Sequence, residues 1–158
     1  MAVYRTTFPI ATAARTVWSV LTDFERYKEW NPSLPSISGE LHPGAEVALT
    51  LGMPGRPSPK VKARFSQVEP LQRLTWDGNA GADWLFAGHR EFVIEQQPDD
   101  SVLFTHIEDV RGALFPVFRV VMGSAIQRSH DAFNQALKAR CENLAAPGEV
   151  PGATGRKG

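Results

Sequence analysis

The sequence predicts an α+β fold: a curved antiparallel sheet of about seven strands wrapped on a long C-terminal helix, with two short helices after the first strand. Three observations lead there. Segments rich in β-formers and bounded by turn residues recur from Leu34 to Val110. The period then changes to helical from Ala113 to Leu144. Between the first strand and the rest stands an aromatic-rich stretch, Val17 to Pro32, which reads as two short helical pieces meeting at Asp23.

The elements follow in order. Val3 to Ile10 alternates loosely and forms the first strand; Thr12 to Thr22 carries Val17, Val20 and Leu21 at helical spacing. Asp23 is expected to cap the next turn with its carboxylate, and Pro32 to stop the helix and push Asn31 out of the α region. Trp18, Tyr27 and Trp30 then face apolar surroundings. Leu34 to Leu41 is a second strand, ended by the turn His42-Pro43-Gly44, and Glu46 to Leu51 a third. Gly52 to Pro59, with three prolines and two glycines, reads as a long hairpin loop or as a lid tipped by Met53. Val61 to Val68 and Leu71 to Asp77 are strands separated by Glu69-Pro70, and Gly78 to Gly81 is a turn. Trp84 to Gln96 and Ser101 to Val110 form a hairpin bent at Pro98-Asp99-Asp100. In the last helix, Leu114, Phe118, Met122, Ala125, Ser129, Phe133, Ala136, Leu137 and Leu144 are assigned to the apolar side. Arg128, Asp131, Asn134, Gln135, Lys138 and Glu142 are assigned to the polar side. Residues 1–145 are expected to be one domain and 146–158 a flexible tail.

Composition narrows the function. A net charge of zero argues against a nucleic-acid or anionic-membrane surface. A single cysteine, Cys141, excludes an internal disulfide and suits a reducing compartment. No apolar run approaches the roughly 20 residues that span a bilayer, and no signal peptide is visible, so a cytoplasmic protein, monomer or homodimer, is expected. Phosphate loops, dinucleotide fingerprints and serine-nucleophile motifs are absent, and no cofactor is expected.

The Val17–Pro32 stretch resembles the opening of the START-like, or SRPBCC, superfamily, especially its polyketide-cyclase/dehydrase-like branch. The resemblance extends from about Tyr4 to Leu144. It includes Gly39, Leu41 and Gly44; Leu74-Thr75-Trp76; Phe86, Gly88, His89, Phe92 and Ile94; Phe104, His106, Glu108, Val110 and Gly112; and Phe133, Asn134, Leu137, Lys138 and Glu142. It implies a helix-grip fold, a cup for apolar ligands between sheet and long helix, and a superfamily that spans lipid carriers and cyclases. One departure stands out: His89 lies three residues before Phe92 rather than two, so either a bulge shifts the strand or His89 points away from the cup.

Strand parity sorts the chemistry. Val102, Phe104, His106, Glu108 and Val110 share one face, which the resemblance turns inward; Phe86, Gly88, Arg90, Phe92 and Ile94 share the corresponding face of the preceding strand. Arg90, His106 and Glu108 therefore meet in an otherwise apolar cup. Three roles are open to them: a structural ion pair, a polar patch that orients a ligand, or a His106/Glu108 acid–base pair. The expected ligand-binding set is Trp30, Trp76, Arg90, Phe92, Phe104, His106, Glu108, Phe118 and Met122, and the expected partner is a hydrophobic or aromatic small molecule, lipid- or polyketide-like. The alternative is a cofactor-independent cyclase or dehydratase. No metal site is expected, because further ligands beyond His106 and Glu108 would have to come from His42, His89, His130 or distant carboxylates. Cys141 reads as a packing residue. Trp84 is a candidate rim or dimer contact.

Overall fold

A computed structural model describes residues 1–52, 59–79, 87–113 and 115–146, without the side chains of Asn79 and of 115–122. The expected Met53 lid, the start of the sixth strand with Trp84, the turn residues 80–81, Leu114 and the tail beyond Ala146 lie outside the described residues, as do the side chains of Phe118 and Met122.

Seven strands form one antiparallel sheet: β1 (Ala2–Ile10), β2 (Ser36–Ser38), β3 (Glu46–Thr50), β4 (Lys60–Glu69), β5 (Arg73–Asn79), β6 (Ala87–Gln96) and β7 (Val102–Arg111). Their order across the sheet is β1-β7-β6-β5-β4-β3-β2. Helix α1 (Ala14–Thr22), a 3-10 turn (Phe24–Arg26) and helix α2 (Tyr27–Trp30) follow β1, and α3 (Phe115–Ala145) ends the fold. This is the predicted helix-grip α+β architecture.

The inner face of the sheet is read off the register. Tyr4, Thr6, Phe8 and Ile10 lie opposite Glu108, His106, Phe104 and Val102. Those in turn share register with Arg90, Phe92, Ile94 and Gln96. Leu74 and Trp76 pair with Phe92 and Arg90, and Phe65 with Trp76. In β4 the alternation breaks: Ala63 and Phe65 are buried, Ser66 and Gln67 are both exposed, and Val68 turns inward again opposite Leu74. One extra residue at this bulge flips the parity and keeps Val68 on the core side.

Several boundaries differ from expectation. The second strand shrinks to Ser36–Ser38, because Pro35 precedes it and Gly39, with φ of 147°, ends it. A Cβ at Gly39 would lie 2.6 Å from Val47 Cγ1, so only glycine fits there. Leu71, with φ of 66°, is a turn residue, and β5 starts at Arg73. Gly78 and Asn79 continue β5 rather than leaving it. Asp23 does not cap: its carboxylate makes no hydrogen bond to the following turn and sits 3.5 Å from Arg26 instead. Asn31 is extended, as its place before Pro32 requires.

The short helices are fixed from three sides. The N-terminal amide of α1 at Ala14 donates to Gln96 Oε1 at 2.7 Å. Asn31 Oδ1 accepts from the amides of Ser33 and Leu34, and Ser33 Oγ donates to the Ser129 carbonyl of α3 at 2.6 Å. Arg140 of α3 pairs with Glu29 at 2.8 Å.

Among the described side chains of α3, the buried ones are His130, Phe133, Asn134, Leu137 and Cys141. This stripe is rotated from the one expected. Asn134, assigned to the polar side, is buried, and Leu144, assigned to the apolar side, is 55% exposed. The reason is that two polar residues, His130 and Asn134, find partners on the sheet, and hydrophobicity alone cannot see them.

Candidate functional site

Aromatic rings floor the interior. Phe92 is fully buried, with Trp76 at 5.2 Å, Phe104 at 5.7 Å, Phe133 at 5.1 Å and His106 at 4.8 Å between ring centroids. Trp30, half-buried, packs on Phe133 at 5.7 Å and on Tyr27 at 5.0 Å. Of the expected ligand-binding residues, Trp76, Phe92 and Phe104 therefore lie in one packed aromatic layer, with Trp30 reaching it through Phe133.

Arg90, His106 and Glu108 meet, as strand parity predicts. Arg90 Nη2 donates to Glu108 Oε1 at 2.6 Å, and both side chains are mostly buried. The guanidinium carbon also lies 5.9 Å from the Trp76 ring centre. His130 joins them from α3, with Nδ1 3.6 Å from Glu108 Oε2, beyond hydrogen-bond distance. On its other side, His130 Nε2 shares a hydrogen bond with Thr6 Oγ1 at 3.0 Å. The rings of His106 and His130 stack at 4.0 Å with 11° between their planes. His106 Nδ1 lies 2.8 Å from Asn134 Oδ1. A carbonyl oxygen only accepts, so Nδ1 carries the proton and Nε2 presents a lone pair.

Four polar atoms of this group are buried without a hydrogen-bond partner among the described residues: His106 Nε2, Glu108 Oε2, His130 Nδ1 and Asn134 Nδ2. Buried polar groups are ordinarily paired, so four such atoms in one group are a departure from the usual interior.

Charge is distributed unevenly. Burial pushes the His106 imidazolium well below its usual range, and the positive Arg90 and the neighbouring His130 push it the same way. Burial alone would raise Glu108, but Arg90, the adjacent His130 and His106 outweigh it and hold its carboxyl at about 2. The site at neutral pH is thus a neutral His106 beside an ionised Glu108 that is locked to Arg90. Burial pushes the Tyr27 phenol up; its hydroxyl donates to the Leu21 carbonyl at 2.6 Å.

The depressed Glu108 sets an acid limit. A carboxyl with a lower pKa in the folded state stabilises the fold above its unfolded value and loses that stabilisation as pH falls through the folded one. The loss attributable to Glu108 therefore falls between about pH 4.5 and about pH 2 and amounts to roughly 3 kcal/mol. Urea denaturation of the wild type and of Glu108→Gln across that range measures it: the wild-type curve should be the steeper by about that amount. Parallel curves would show that Glu108 is solvated.

His106, Glu108 and His130 each offer a ligand atom within 4.8 Å of the others, so a third donor is closer than the sequence spacing implies. The geometry still fits a metal poorly. Imidazole lone pairs lie in the ring planes, and two nearly parallel planes with centroids 4.0 Å apart do not converge on a point about 2.0–2.1 Å from both nitrogens. The carboxylate is also already engaged by Arg90.

His89 points away from this group. The β5–β6–β7 register is unbroken through it, and its Nδ1 meets Asp77 Oδ1 at 2.6 Å on the outer face. Sequence reasoning missed Thr6, His130 and Asn134 as members of the group. Thr6 was within reach, since it shares a face with Tyr4 and Phe8 on an alternating strand. Cys141 is buried in the core cluster, and burial next to Glu142 pushes its thiol up to about 12, which suits packing. A surface recess of about 440 Å³ lies at the opposite end of β7, lined by Pro9, Gln97, Pro98, Asp99, Ser101, Val102 and Leu103, and holds none of the expected site residues. No described helix is long and apolar enough to cross a membrane.

Comparison with known proteins agrees with this fold. The structure is similar to the Zhui aromatase/cyclase from Streptomyces sp. R1128, with a TM-score of 0.73 and 17% identity over 91% of this chain and 95% of that one. It is also similar to a norcoclaurine synthase point mutant from Thalictrum flavum in complex with a transition-state analogue, with a TM-score of 0.68 and 14% identity over 92% and 96% of the two chains. A protein from Nitrosomonas europaea gives a TM-score of 0.70 and 15% identity over 92% and 97%. At such identities these likenesses speak for the fold. No curated protein matches the sequence. The model of the family described as polyketide cyclase / dehydrase and lipid transport matches residues 1–142. The chain belongs to that family, within the START-like, or SRPBCC, superfamily.

Proposed function

We propose that this protein binds a hydrophobic or aromatic small molecule between the sheet and α3, with Arg90, His106 and Glu108 orienting its polar end. The observation that carries this reading is the set of four buried polar atoms without partners among the described residues, standing at one end of an aromatic layer. Membership in a family of cyclases and lipid carriers supports the same ligand class. Trp30, Trp76, Phe92 and Phe104 form the apolar side of the site, and Phe118 and Met122 are proposed to complete it from α3.

A second reading rests on one specific feature. His106 is neutral, donates through Nδ1 and keeps an unprotonated Nε2, which is the state a general base requires. On that reading His106 moves a proton in a cofactor-independent cyclisation or dehydration, and the ionised Glu108 stabilises the charge that forms.

Native mass spectrometry of freshly purified protein, set against its denatured mass, tests the binding reading. A small-molecule adduct lost on denaturation is the expected result. A bare mass, together with no saturable binding across a panel of polycyclic aromatics and lipids, would sink it. Turnover of a bound polyketide-like compound that disappears in His106→Gln, with binding retained, would favour the second reading.

A further inference from the structure

The polar end of the interior has a charge and hydrogen-bond pattern that selects among ligands. The one guanidinium of the group is already spent on Glu108 Oε1 at 2.6 Å. What remains unpartnered among the described residues is unequal: Glu108 Oε2 and His106 Nε2 accept, while Asn134 Nδ2 donates. His130 Nδ1 is turned toward Glu108 Oε2 at 3.6 Å and is held there through Thr6. His106, His130 and Asn134 are nearly fully buried, and the Glu108 side chain is 16% exposed, so water does little to soften the pattern.

Three kinds of ligand oxygen meet this pattern differently. A carboxylate adds a negative charge next to Glu108 and finds no free cation in this group among the described residues, and a buried charge left unpaired is costly. An ether or ketone oxygen only accepts, so it uses Asn134 and leaves both acceptors bare. A hydroxyl donates to His106 Nε2 or Glu108 Oε2, and so pairs a buried acceptor that neither of the other two can pair.

We propose that this site takes an uncharged, proton-donating oxygen (a phenol, an enol or an alcohol) on an apolar body and turns carboxylates away. The inference rests on the binding reading above and adds the chemistry of the ligand's polar end. It separates a long-chain alcohol from the corresponding fatty acid, and a phenol from its methyl ether.

The test needs no mutation. 2-Naphthol, 2-methoxynaphthalene and 2-naphthoate are titrated into the intact protein at pH 7 and followed by calorimetry. 2-Naphthol is expected to bind at least about tenfold tighter than either of the others, because each of those leaves a buried group unpaired. Equal affinities for naphthol and ether in the wild type, or tightest binding of the naphthoate, would overturn this inference and leave the binding reading intact. No binding of any of the three, at concentrations where lipids and larger aromatics also fail, would overturn both.

Discussion

Arg90→Ala is expected to destabilise the protein by about 3–5 kcal/mol at pH 7. The substitution leaves the Glu108 carboxylate mostly buried, next to two imidazoles and without its 2.6 Å partner. It also removes the largest of the influences that hold the Glu108 carboxyl low, so the acid limit of the fold should move upward in pH. Urea denaturation reads both effects. The double variant Arg90→Met/Glu108→Leu should recover most of the loss, because removing both charges leaves none stranded. A single-variant loss below about 1 kcal/mol would place the pair in the class of solvated surface bridges. Ligand binding should weaken in both variants, and a double variant of restored stability that still binds normally would assign the pair to structure alone.

Phe92→Ala should cost about 3–5 kcal/mol, the range for a packed aromatic. Phe92 touches Trp76, Phe104, His106 and Phe133, and no part of it is exposed. The same experiment reports on the interior. A side chain that borders a ligand space loses fewer contacts on truncation, so a cost near 1–2 kcal/mol would put the edge of that space at Phe92. The comparison is sharpest with Leu137→Ala, since Leu137 is a fully buried α3 residue that is not itself part of the polar group.

Much of the fold was legible because it rests on strong local signals. Alternation in β1 and β7, the turn at Pro98-Asp99-Asp100 and the long helical period all survive in the structure. Parity on β6 and β7 brought Arg90, His106 and Glu108 together correctly, because register in an unbroken antiparallel pair follows from counting. The errors share one physical origin, which is that local pattern cannot anticipate a distant partner. Asn134 reads outward by its polarity alone, yet it is drawn inward by His106 on β7, and His130 is likewise tied to Thr6 on β1. Asp23 has the chemistry of a cap, but Arg26 competes for its carboxylate. The bulge between Phe65 and Gln67 has no glycine or proline to announce it.

The pairing of β1 with β7 has a consequence for how this chain can be made. Thr7 and Thr105, which share a hydrogen bond, are 98 positions apart, and Thr6 and His130 are 124 apart. Synthesis runs from the N-terminus, so the first strand leaves the ribosome long before either partner exists. Until then its apolar side, Tyr4, Phe8 and Ile10, has no lid and its backbone edge has no neighbour. Closing so long a loop is also entropically slow. Docking of β1 must therefore wait until β7 and α3 have been made. A nascent chain stalled before Val102 should be the species most readily captured by chaperones.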